Sequence, residues 1–154
     1  MNKLRNFILA TLGAFAASVV LPTAPALAAK PDNTQVVVTF TKWVLPTGVM
    51  PGTVDGELGS GVFAGQLLGG VPLADGKILK LDARYGVVVD GGRSFNAVIH
   101  GTLNSQTGIG VLNGVITDGW LTGAQVQVRF QALASVEHGT IFVGTITINP
   151  NSAH

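Results

Sequence analysis

The chain predicts an all-β fold: a small antiparallel barrel of seven or eight strands, with a two-sheet sandwich as the alternative. Three observations carry this. After residue 30, apolar residues alternate with polar ones or form short β-branched runs, and helical spacing is hard to find. The connections between these runs are short, and none holds a helix long enough for a parallel crossover, so neighbouring strands should be antiparallel. Glycine recurs inside the strands, at Gly65, Gly86, Gly101, Gly114 and Gly144. Such glycines cost stability unless a bend or a close approach requires them, and small closed barrels require both. General glycine richness, 21 residues in all, is the plainer explanation.

The first segment does not belong to that domain. Lys3 and Arg5 precede the apolar run "FILATLGAFAASVVL", and "ALA" at 26–28 offers small residues at a cleavage position. Residues 1–28 therefore read as a cleaved secretory signal peptide. The run is shorter than the roughly 20 residues of a membrane-spanning helix, and no basic stop-transfer cluster follows it. The protein is thus expected to be exported, to a periplasm or the extracellular space, with residues 29–154 as one domain.

The strands follow in order. "TQVVVTFTKWVL" (34–45) is a strand stopped by Pro46, with both faces largely apolar or threonine. Residues 45–61 hold two prolines and five glycines and read as a long loop, with a short strand at 53–58. "GVFAGQLLGG" (61–70) is a strand ended by Gly-Gly, and Asp75-Gly76 turns the chain within 71–77. A long strand at 78–92 buries Leu79, Leu81, Ala83, Tyr85, Val87 and Val89 and shows Lys80, Asp82 and Arg84 on its other face. "DGGR" marks a hairpin to 94–104, which buries Phe95, Ala97, Ile99 and Leu103. Strands at 109–117, 124–132 and 140–148 complete the set, and 149–154 is a polar tail. The 124–132 strand alternates most cleanly, with Val126, Val128 and Phe130 opposite Gln125, Gln127, Arg129 and Gln131. The terminal strands, largely apolar or threonine on both faces, suggest contact with protein on both sides and hence a homo-oligomer.

Composition removes several functions. Without the signal peptide, seven basic residues face eight acidic ones, so no basic footprint for nucleic acid is present. The absence of cysteine removes thiol catalysis and cysteine-ligated zinc. His100, His138 and His154 lack metal-ligand spacing, so no metal is expected, and no cofactor motif is found. Ser94, His100 and Asp118 form no hydrolase set, because no G-x-S-x-G elbow exists. The glycines of "GVLNGVITDGWLTG" (110–123) precede no helix, which rules against a phosphate cradle. That stretch reads instead as a corner at which Trp120 and Leu121 fold over a barrel end.

Residues 78–133 nevertheless resemble a known family. Gly119-Trp120-Leu121-Thr122-Gly123-Ala124 followed by "QVQVRFQAL", with "LDARYGVVVDGGRSFNAVIHGTLN" upstream, is similar to the late meander of the allene oxide cyclase and dirigent-type barrels. The N-terminal third carries no such likeness. The resemblance implies an eight-stranded barrel with a hydrophobic cavity, often assembled as a trimer. It further implies oxylipin cyclisation or stereoselective coupling of phenolic radicals. No polar site residue of that family carries over, so the resemblance bears on the scaffold alone.

The expected function is binding of a small hydrophobic molecule inside the barrel, with or without cyclase-like or dirigent-like stereocontrol. The alternative is a noncatalytic extracellular structural or interaction module. Glu57 and His100 are the candidate catalytic residues. Glu57 is expected to project into a barrel mouth as a general acid or base, with Asp55 as its companion. Tyr85 and Trp120 are the candidate ligand-binding residues, set against a plain core role for Trp43, Tyr85, Phe95, Trp120 and Phe130. An apolar lumen of roughly 300 Å³ or more would match an ordinary ligand site.

Overall fold

A computed structural model describes residues 34–153. Residues 1–33, which include the expected signal peptide, and His154 lie outside the described residues. Eight strands run in order: β1 (Val36–Trp43), β2 (Val49–Gly56), β3 (Gly61–Leu73), β4 (Ile78–Val89), β5 (Phe95–Asn104), β6 (Ile109–Gly119), β7 (Gln125–Ser135) and β8 (Gly139–Asn149). A short 3₁₀ turn, Pro150–Ser152, follows. Each strand pairs antiparallel with the next, and β8 pairs with β1, giving a closed up-and-down barrel. The barrel, not the sandwich, is therefore the fold. The two strands whose faces are both largely apolar or threonine are the pair that closes it, from Val36↔Ile148 to Trp43↔Ile141.

Alternation assigns the faces. Val38, Phe40, Phe63, Tyr85, Ile99, Leu112, Val128 and Ile146 are buried inside. Lys80, Asp82 and Arg84 on β4, and Gln125, Gln127, Arg129 and Gln131 on β7, are exposed outside. On β4 and β7 this is the reverse of the apolar-outward pattern of lipid-facing strands. Among the described residues no helix is long and apolar enough to cross a membrane. The interior of an eight-stranded barrel is just wide enough for side chains to fill. Phe40, Phe63 and Tyr85 fill its middle as an aromatic cluster, with ring centroids 4.7–6.0 Å apart.

Three elements differ from the sequence reading. The 45–61 segment contains a full strand, Val49–Gly56, rather than a loop with a short strand at 53–58. Pro51 is tolerated because the β1–β2 ladder stops at Lys42↔Gly52, so Pro51 pairs only with Ala64 of β3. The Gly-Gly pair does not end β3. A register shift between Leu67 and Gly69 absorbs one extra residue, and the strand continues to Leu73. Trp43 is not core. It is outward on β1 and stacks on His138, with centroids 3.9 Å apart and planes within 4°.

The two ends of the barrel are unlike. At one end Leu58 is buried, and Trp120, Leu121 and Ala153 pack against the core. Arg93 ties the β4–β5 turn to this end by donating to the carbonyls of Glu57 and Leu58, both at 3.3 Å. The β6–β7 corner forms part of the plug. Trp120 N–H donates to Ser94 O at 2.9 Å, and Gly123 N–H donates to Ile116 O at 2.8 Å. Gly119 sits at φ +90°, and a Cβ there would meet Ser94 O at 2.5 Å. At the opposite end, with the β1–β2, β3–β4, β5–β6 and β7–β8 turns, Leu67, Leu79 and Leu103 also pack against the core, but they line a cavity there.

Both the positive φ and the backbone contact oppose a branched residue at Gly119. Gly119→Val is expected to lose at least ~1–3 kcal/mol, read as a lower thermal midpoint. An unchanged midpoint would show that the corner does not constrain the barrel.

Candidate functional site

The inward face of β1 reads Val36, Val38, Phe40, Lys42. The last of these places an amine inside the barrel, just beyond the aromatic cluster. Lys42 is 4 % exposed and is the one buried charged side chain among the described residues. Its neighbours across the two ladders are Gly52 and Phe142. Gly52 is required here, since a Cβ would come within 2.8 Å of Lys42 Cα and also strike the Thr41 carbonyl.

The surroundings of Nζ are aromatic. It lies over the rings of Tyr85 at 4.1 Å, Phe63 and Phe130 at 5.4 Å, Phe40 at 5.6 Å and Phe142 at 5.9 Å. Nζ donates to Tyr85 Oη and contacts Met50 Sδ at 3.3 Å. No carboxylate pairs with it; the one ion pair among the described residues joins His138 and Glu137. Burial without a counter-charge pushes the amine down from 10.5 to about 7. The ring faces favour the ammonium and so work against that shift. Burial also raises the Tyr85 phenol, which therefore stays protonated.

Above this pair a cavity of about 180 Å³ opens toward the end opposite Trp120. Its walls include Met50, Leu81, Ala83, Leu112, Phe130 and Phe142. Val44, Leu67, Leu79 and Leu103 lie nearer the turns. Among the described residues, Lys42 and Tyr85 alone supply a side-chain nitrogen or oxygen to its lining. The cavity is smaller than the roughly 300 Å³ at which ordinary ligand pockets begin. A second hollow, about 1020 Å³ and open to solvent, lies on the outer wall between β5 and β8. Exposed amides such as Asn113, Gln125 and Gln127 line it.

The four expected site residues are dispersed. Tyr85 is inside, at the floor of the cavity. Trp120 is at the plugged end, packed on the core, with its indole Nε1 buried and without a partner. His100 is on the outer wall, in the solvent-facing hollow. Glu57 is exposed beyond β2, where its Oε1 accepts from Val37 N–H at 3.2 Å. Gly56, at φ +125°, breaks the alternation that would have kept Glu57 level with Asp55. Asp55 instead accepts from Ser60 Oγ at 3.0 Å. Glu57 thus caps a strand end and is remote from the cavity mouth.

Lys42 is the residue that the sequence reading passed over. Its signal was the same alternation that identified the other inward faces, since Lys42 is two residues beyond Phe40. No group of three or more His, Asp or Glu suited to a metal occurs among the described residues. No family model matches this chain, and neither does any curated protein or solved structure.

The amine makes stability depend on pH in a definite direction. The unfolded chain holds the Lys42 proton up to about 10.5, whereas the folded protein releases it near 7. Between those values the unfolded state binds more protons, so stability rises with pH. Relative to Lys42→Met, the unmodified protein should gain on the order of 4 kcal/mol from pH 7 to pH 10.5, at ~1.36 kcal/mol per pKa unit. Lys42→Met should therefore be the more stable form near neutrality, with its advantage shrinking as pH rises. Denaturant unfolding of both proteins across this range measures the difference, and a constant gap would contradict it.

Proposed function

We propose that this exported barrel binds a small, largely apolar molecule with one oxygen-bearing end, which seats against Lys42 and Tyr85. The observation that carries the proposal is the buried amine itself. A desolvated lysine with no carboxylate is costly to keep in a core, and a methionine there would pack without that cost. Its placement at the floor of an apolar cavity gives it a use: one polar anchor that orients an otherwise apolar ligand. Perturbed titratable groups inside clefts are characteristic of functional sites.

The cavity size narrows the ligand. A liquid water occupies ~30 Å³, so 180 Å³ holds about six water-sized units. The occupant is therefore a molecule of about six to eight non-hydrogen atoms, or the end of a longer chain protruding from the mouth. Cyclase-like or dirigent-like stereocontrol, which the resemblance of residues 78–133 implies, would be exercised through this shape, by positioning.

A second reading has its own observation. Val62 and Val88 are direct register partners on the outer wall, and each is 56 % exposed. Such a patch suits association with another protein surface, including a second or third copy. Light scattering that shows a strict monomer would remove the homo-oligomer.

Ala83 lies in the cavity wall and is buried. Ala83→Phe should fill the space and abolish binding while leaving the barrel folded. Native mass spectrometry of protein purified from its host should find a small ligand on the unmodified chain and none on the variant. Equal ligand on both would place the binding site elsewhere.

A further inference from the structure

We infer that the cavity takes a small apolar aldehyde or ketone and holds it covalently, as a reversible imine on Lys42 Nζ. This rests on the binding reading above and specifies its ligand class. Three features of the site converge on it. Among the described residues no carboxylate pairs with the amine to hold it as an ammonium. It faces an apolar cavity large enough for a carbonyl compound of about seven non-hydrogen atoms. A phenol that stays protonated stands in hydrogen-bond contact with it. Burial brings the amine down to about 7, so a neutral, nucleophilic fraction is present near neutral pH.

The chemistry balances without an added reagent. The Nζ lone pair attacks the carbonyl carbon, forming a C–N bond as the carbonyl π pair moves onto oxygen. Tyr85 Oη gives its proton to that oxygen and takes one from nitrogen in the same relay, leaving a neutral carbinolamine. The nitrogen lone pair then forms the C=N bond and expels the hydroxyl. Tyr85 again passes a proton from nitrogen to oxygen, and water leaves. Amine and carbonyl become imine and water, with no change in oxidation state. Because the phenol gives and receives together, no phenolate has to form. That suits a site where burial disfavours the phenolate. Hydrolysis by the reverse path releases the carbonyl compound when water re-enters from the mouth.

Other amines can also form imines, so the test is one of selectivity. The exposed Lys77 and Lys80 serve as internal controls in the same molecule. The protein is incubated with limiting hexanal and cyanoborohydride near neutral pH, and the reduced hexyl adduct is mapped by peptide mass spectrometry. The adduct is expected first and predominantly on Lys42, and Lys42→Met should lose that adduct. Adduct confined to Lys77, Lys80 and other exposed amines overturns the inference. Tyr85→Phe should slow trapping at Lys42 by about a hundredfold, the scale of general acid–base assistance. An unchanged rate removes Tyr85 from the mechanism.

A parallel arm uses 1-hexanol, which matches hexanal in length but cannot form an imine. A rise in thermal midpoint with hexanol, lost in Ala83→Phe, together with no hexanal adduct on Lys42, defeats the imine and leaves noncovalent binding standing. No hexanol shift and no Lys42 adduct defeats both.

Discussion

Closure of β8 onto β1 is the constraint on which the rest of this structure depends. Eight register partners join the two strands, from Val36↔Ile148 to Trp43↔Ile141. A closed barrel has no free edge and only one inside, so each strand's alternation becomes a choice between lumen and solvent. On most strands that choice sends apolar residues inward. On β1 it also sends Lys42 inward, because Val36, Val38 and Phe40 already fix the phase. The amine cannot be turned out to water without a one-residue slip that would expose three core residues. It is held inside by the register that builds the core.

The unlike ends follow from the same closure. One end is sealed by Leu58, Trp120, Leu121 and Ala153, and its turns are tied together by Arg93 and the Ser94 carbonyl. The other keeps a cavity above Lys42. The polar pair lies deep, below apolar walls, where solvation is weakest and a hydrogen bond is strongest. The aromatic cluster of Phe40, Phe63 and Tyr85 supports it from beneath. A site of this kind relies on one amine and one phenol, and the barrel supplies their isolation.

Most of the fold was legible in the sequence because a strand's period of two is a local property. The inward faces of β4, β5 and β7, the hairpin at "DGGR" and the corner at Trp120 were all readable from neighbouring residues. The segment 45–61 was misread for an equally local reason. Its prolines and glycines spoke for a loop, and only the limited extent of the β1–β2 ladder makes Pro51 acceptable in a strand. The site was less legible. Glu57 drew attention as an acid beside Asp55, but the turn at Gly56 rotates it away to cap β1. Lys42 escaped notice because threonine and valine occupy the outer face of β1, which blurred the polarity contrast that marked the other strands.

By itself, the sequence determined an antiparallel all-β chain, its strand faces and its glycine corners, because alternation and turn chemistry act over a few residues. Tertiary structure alone decided that the sheet closes, that one end is plugged and the other hollow, and that Lys42 meets Tyr85. Those two residues are 43 positions apart in the chain and lie on strands that are not neighbours in the sheet. No local pattern encodes their contact. It exists because closure folds opposite walls of the barrel onto one narrow interior.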